Sequence, residues 1–139
     1  MPTAGLDANE GPVIGIESLH HVAVCVTDIE RAKQFYGGVL GLAELPRPPF
    51  DFGGAWYAIG DRQLHLIVHP PTRTMRGGSD IDARDGHLAI RVASYRGTLE
   101  HLRSHGIEFL DRPRNPTPWP QIYVTDPDGN IVEFNADAL

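Results

Sequence analysis

Residues 19–26 read LHHVAVCV and residues 85–92 read DGHLAIRV. Each is a β-prone run opened by a histidine, His21 in the first and His87 in the second, and each is followed by the apolar spacing of an amphipathic helix. The correspondence recurs at the far end of each copy, where QLHLIVH (63–69) carries His65 and NIVEFNA (130–136) carries Glu133. His21 and His87 are 66 positions apart and His65 and Glu133 are 68 apart, so one internal duplication relates both pairs to within two residues. A duplication on that scale sets the architecture before any single residue is weighed.

Working outward from the first run, Asp28 suits a helix N-cap. Ala32, Phe35, Tyr36, Val39 and Leu40 then fall at i, i+3, i+4, i+7 and i+8, one apolar stripe closed by Gly41. Gly37 and Gly38 inside that helix cost about 1 kcal/mol each relative to alanine, so its last turn is expected to be irregular. Short β-prone segments at 42–46, 54–59 and 62–69 come next. In the second copy a strand at 87–93 leads into a helix capped by Ser94, with Tyr95, Leu99 and Leu102 on one face and Gly106 past its end. Strands near 107–111, 119–125 and 130–135 follow, the last two joined by DPDG, where Pro127 and Gly129 fit a tight turn. The order β-α-β-β-β occurs twice, an α+β fold.

Residues 1–16 are rich in Gly, Pro and small polar residues and read as a flexible tail ending in a short edge strand. One domain then spans 17–136, with modules at about 17–70 and 86–136 joined by a loop-like linker at 70–85, PPTRTMRGGSDIDARD. At 139 residues the chain is long enough to bury a shared core. With 41% hydrophobic and 22% charged residues it has an ordinary globular composition, and no apolar run reaches bilayer length, so no membrane partner is expected. A net charge of −6 with twelve scattered basic residues argues against nucleic acid. The single cysteine, Cys25, forms no internal disulfide, and a cytoplasmic location is expected.

Alternate residues of a strand share a face, so His21, Ala23 and Cys25 project together, as do His87, Ala89 and Arg91. His65 shares a face with Ile67 and His69, and Glu133 with Ile131 and Asn135. A lone strand histidine is more often structural than a ligand, but four donors at duplicated positions change that balance. If the first and last strands of both copies curve around a common cavity, His21, His65, His87 and Glu133 converge. Three imidazoles and a carboxylate make a competent site for a divalent first-row metal. His20 should face away from that cavity, and His101 and His105 read as surface residues. Cys25 reads as a small hydrophobe, Arg91 as a candidate anion holder, and Phe52, Trp56, Tyr57 and Trp119 as candidate walls of an apolar pocket.

The segments LHHVAVCVTDIERAKQFYGGVLGL, GDRQLHLIV, DGHLAIRV and VTDPDGNIVEFN resemble the vicinal oxygen chelate superfamily. It includes glyoxalase I, methylmalonyl-CoA epimerase, fosfomycin-resistance thiol transferases, extradiol dioxygenases and bleomycin-binding proteins. The resemblance covers about residues 17–136 and implies two βαβββ modules forming a cup-shaped mixed sheet around a metal. It matches His21, His65, His87 and Glu133 to the metal-ligand positions, with Glu133 also the base, although His65 stands where bacterial-type glyoxalases carry glutamate. It implies a metal-dependent lyase or isomerase that chelates a small-molecule substrate through two neighbouring oxygens and stabilises an enolate. The expected cofactor is Zn, Ni, Mn or Fe and the expected assembly a homodimer, with the site either within one chain or across two. The alternatives are an extradiol-type dioxygenase using His21, His87 and Glu133 with iron, a thiol transferase, and a non-enzymatic drug-binding protein. The thiol transferases carry threonine where this chain has Ala23, and the binders typically lack the metal ligands.

Overall fold

The computed structural model of the chain describes residues 14–69 and 80–139. The first module runs β1 (His21–Val26), α1 (Ile29–Lys33) with a π-helical continuation (Gln34–Val39), β2 (Glu44–Leu45), β3 (Gly54–Ile59) and β4 (Arg62–Val68). The second runs β5 (His87–Arg91), α2 (Tyr95–Ser104), β6 (Leu110–Arg112), β7 (Gln121–Thr125) and β8 (Ile131–Asn135). Two mixed sheets result, ordered β1-β4-β3-β2 and β5-β8-β7-β6. In each, the helix carries the chain to the far edge and an antiparallel meander brings it back, so the last strand lies parallel beside the first. Most of the expected tail (1–13) and linker (70–79) lies outside the described residues, and residues 14–18 form no edge strand.

Both helices are capped as their sequences require. Asp28 accepts from the Arg31 amide at 3.1 Å, and Ser94 Oγ accepts from the Gly97 amide at 2.9 Å. The first helix departs from the expected stripe over six residues rather than one turn, with Leu40 N–H reaching back five residues to the Phe35 carbonyl at 2.9 Å. Gly37 lets this turn lie close against Tyr57, since a Cβ there would sit 3.3 Å from the Tyr57 hydroxyl oxygen.

One core serves both modules. Val24, Val26, Tyr57, Leu64 and Leu66 from the first sheet and Ile122, Val124, Val132 and Phe134 from the second are buried in one cluster with the helix residues Phe35, Tyr36, Tyr95, Leu99 and Leu102. Strand alternation therefore leaves His21, Ala23 and His65 on the opposite face of one sheet and His87, Ala89 and Glu133 on the opposite face of the other. Polar contacts tie the modules at one end: Tyr36 donates to Asp126 Oδ2 at 2.7 Å, Thr27 Oγ1 to Asp128 Oδ1 at 2.6 Å, and Asn130 Nδ2 to the Cys25 carbonyl at 3.0 Å. Asp126 also accepts from the backbone amides of Asp128 and Asn130, so the DPDG turn is braced from within.

Candidate metal centre

The parallel ladders set the donors in equivalent registers. His21 pairs with Gln63 and Ala23 with His65, while His87 pairs with Ile131 and Ala89 with Glu133. In each module the first-strand histidine is thus offset by two residues from the last-strand donor on the same face, and an alanine opposite that donor leaves room.

In the second module His87 Nδ1 lies 2.7 Å from the Asp85 carbonyl, which can only accept, so Nδ1 carries a proton. Nε2 lies 3.1 Å from Glu133 Oε1. Nε2 is thus the ring nitrogen that faces the carboxylate, at hydrogen-bond distance. Glu133 is only 5% exposed. Its Oε2 accepts from Asn135 Nδ2 at 2.8 Å, and Asn135 Oδ1 accepts from Arg91 Nε at 2.5 Å. Tyr123, opposite Glu133 in the β7–β8 ladder, presents its ring to the edge of His87. Burial, reinforced by the charge and hydrogen bond of Glu133, pushes the Tyr123 hydroxyl up to about 12.

In the first module the rings stack. His65 lies between His21, at 4.0 Å between centroids, and Trp56, at 4.1 Å. Its Nε2 is 2.7 Å from Gln63 Oε1. Burial lowers the His65 pKa, helped by the positive charges of His21, His20 and Arg47. The neutral imidazole so favoured is the form that binds metal.

The structure brings His21 to His65 and His87 to Glu133. Among the described residues no three His, Cys, Asp or Glu side chains come close enough to share one ion. His21 and His65 line a cavity of about 120 Å³, and His87 lines another of about 90 Å³. A larger one of about 220 Å³, lined by Val39, Leu40 and His101, includes neither pair. The four expected donors therefore lie as two separate pairs in one chain.

Several secondary expectations change. His20 does not turn away: its Nδ1 lies 2.8 Å from His21 Nδ1, because β1 begins at His21 and strand alternation does not reach position 20. Phe52 and Trp56 line the first cavity, but Tyr57 is buried in the core, since it alternates with Trp56. Arg91 is engaged by Asn135 and Asp137, with its guanidinium over Trp119. His101 is exposed and bonds the Val39 carbonyl at 2.6 Å. Sequence reasoning missed Gln63, Tyr123, Asn135 as a partner of Glu133, and Arg47. Alternation could have flagged Gln63 and Asn135, whereas Tyr123 depends on strand register and Arg47 sits in an irregular segment.

The sequence model of the Glyoxalase/Bleomycin resistance protein/Dioxygenase superfamily matches residues 18–134. The chain is 27% identical over 133 residues to Glyoxylase I 4 of Arabidopsis thaliana, covering 93% of this chain and 76% of that one. It is 28% identical over 131 residues to the metallothiol transferase FosB of Lysinibacillus sphaericus, covering 89% and 85%. The crystal structure of a glyoxalase-family protein from Bacillus anthracis superposes with a TM-score of 0.76 at 29% identity, covering 90% of this chain and 98% of that one. With the duplicated βαβββ topology and a family match across both modules, the chain belongs to the Glyoxalase/Bleomycin resistance protein/Dioxygenase superfamily.

Proposed function

We propose that this chain is a divalent-metal-dependent enzyme of the glyoxalase I type, a lyase or isomerase acting on a small molecule with two neighbouring oxygens. His21, His65, His87 and Glu133 are the metal ligands and Glu133 is the base. The observation that carries this reading is the His87–Glu133 contact, in which a ring oriented by the Asp85 carbonyl aims Nε2 at a buried carboxylate. The equivalent register of His21 and His65 supplies the matching pair. Three imidazoles and one carboxylate suit Zn, Ni, Mn or Fe. Such an ion, when bound, polarises the substrate oxygens as a Lewis acid.

The chain's own residues do the rest. Glu133, on leaving the ion, would take the proton beside the substrate carbonyl and return it to the neighbouring carbon. Asn135 holds one carboxylate oxygen through Oε2, and Tyr123 keeps its proton to donate to the same group. Because each chain gathers its donors two and two, we assign the centre to a symmetric homodimer. The His21–His65 pair of one protomer faces the His87–Glu133 pair of its partner, and two equal centres result. Among the described residues no helix is long and apolar enough to cross a membrane, and the single cysteine suits the reducing cytoplasm.

A second reading has its own observation. His65 is stacked between two rings with Nε2 engaged by Gln63, which favours a three-ligand site of His21, His87 and Glu133. Two histidines and a carboxylate suit iron(II) and catechol cleavage. The test is metal analysis of protein purified without a histidine tag, followed by assays with hemithioacetals of α-ketoaldehydes, CoA esters and catechols. About one metal per protomer and hemithioacetal turnover are expected. Turnover of catechol alone replaces the lyase reading with the dioxygenase, and a metal-free protein that binds apolar ligands replaces both with a binder.

A further inference from the structure

We infer that Arg47 is a carboxylate anchor, and that the cavity beside His21 and His65 takes a small molecule with a flat apolar body and a carboxylate set apart from its metal-facing oxygens. The inference rests on the metal-dependent reading for what lies at the other end of that molecule.

Arg47, Phe50 and Phe52 belong to the irregular segment between β2 and β3, and all three line the cavity with Trp56 and the two histidines. Phe50 and Phe52 are 45% and 42% exposed, unusual for large aromatic side chains stacked on one another at 5.1 Å. The Arg47 guanidinium carbon lies 4.9 Å and 5.1 Å from these two ring centroids. One of its nitrogens, Nη2, donates to the Phe52 carbonyl at 2.8 Å. Nε is buried and has no acceptor. Among the described residues no carboxylate lies within ion-pair distance of Arg47.

Among the described residues this is a cation placed without an anion. The aromatic faces offset part of the charge, but a buried N–H left unbonded is disfavoured. A carboxylate in the cavity would pair with the guanidinium charge and accept from its N–H groups that are not already engaged by the Phe52 carbonyl. The guanidinium lies close over Gly54: a Cβ there would meet the Leu66 carbonyl oxygen first, at 2.3 Å, and then Nη2 at 2.9 Å and Nε at 3.0 Å. The cavity of about 120 Å³ is somewhat smaller than the roughly 150 Å³ apolar cavity that admits benzene, so its occupant is no larger than one ring or a branched acyl group. The competing explanation is that Arg47 merely straps the segment through Phe52, in which case charge on a ligand would make no difference.

The full chain, as purified and again after chelation, is titrated with benzoate, benzamide and acetate by calorimetry and tryptophan fluorescence. Comparing the two preparations separates a carboxylate held by a metal from one held by Arg47. After chelation benzoate is expected to bind about 10-fold tighter than benzamide or acetate, as a charge-assisted pair requires. Arg47→Gln should bring benzoate to the level of benzamide while leaving metal content unchanged. Equal binding of benzoate and benzamide by the chelated wild-type chain overturns the inference whether or not the variant folds, and so does a preference that survives in Arg47→Gln. Metal content is read on the same samples. Metal without anion preference defeats the anchor alone, whereas anion preference in a chain that takes up no metal defeats the metal centre and leaves the anchor standing.

Discussion

Glu133 lies diagonally across the parallel β5–β8 ladder from His87, with Oε1 3.1 Å from Nε2, and the same register relates His65 to His21 in the other module. The two copies diverge in what they place there. One pair is a histidine and a carboxylate in direct contact. The other is a stack of two imidazoles backed by an indole. A centre built from both would combine a hydrogen-bonded half that carries a carboxylate with a stacked, aromatic half.

Asn135 holds Glu133 Oε2 and is itself held by Arg91. Replacing it by alanine frees the carboxylate to rotate without removing a ligand. Asn135→Ala is expected to weaken metal affinity about 10- to 100-fold, the usual effect of losing an outer hydrogen bond. Competition with a chromogenic chelator measures it, and an unchanged affinity would mean that Glu133 is not a ligand.

His65 separates the four-ligand from the three-ligand site. In the proposed centre His65→Ala removes a donor and should drop bound metal well below one per protomer. Retention of full metal content, with activity confined to catechols, would support the triad of His21, His87 and Glu133 instead.

Mixing inactive His21→Ala and Glu133→Ala proteins distinguishes a shared centre from one within a chain. In a heterodimer one centre receives both substitutions and the other receives neither. Random exchange should therefore restore about a quarter of wild-type activity. No recovery after demonstrated subunit exchange would place the whole centre in one chain.

Tyr36 donates to Asp126 at 2.7 Å inside the core. Tyr36→Phe removes a hydrogen bond to a charged acceptor and is expected to cost about 1.5–3 kcal/mol in urea unfolding. The same contact sets an alkaline limit. Burial first, and then the charge of Asp126, raises the Tyr36 pKa above its ordinary 10.0. The folded state thus holds its proton where the unfolded state has lost it. Stability should be full below pH 10.0 and decline as pH rises beyond it. Tyr57 and Tyr123 are raised as well, so Tyr36→Phe should lessen this decline without abolishing it. Unfolding curves between about pH 8 and 11 would show the slope, and identical slopes in both proteins would reject the assignment.

The duplicated runs around His21 and His87 made the two modules legible, and the period of two correctly separated Val24 and Leu64 from Ala23 and His65. The same rule misplaced what lay beyond its reach. His20 precedes the first paired residue of β1, and Tyr57 was grouped with Trp56 although adjacent strand residues point to opposite faces. Gly37 and Gly38 announced a disturbed helix, but its six-residue π-helical extent and the approach of Gly37 to Tyr57, a residue twenty positions away, appear only in the structure.

Local sequence by itself determined the order of elements, the caps at Asp28 and Ser94, and the face on which each donor stands, because these follow from backbone periodicity within single elements. Only the tertiary structure decided that Asn135 and Tyr123 grip Glu133, that His65 is stacked between His21 and Trp56, and that Arg47 stands beside the histidines with no carboxylate of the described residues paired to it. It also decided that the four donors gather as two pairs within a chain. Hydrogen-bonded ladders close inside each module and draw its own two donors together. The distance between the pairs is set instead by how the helix-covered faces pack, which no pattern local to either copy encodes.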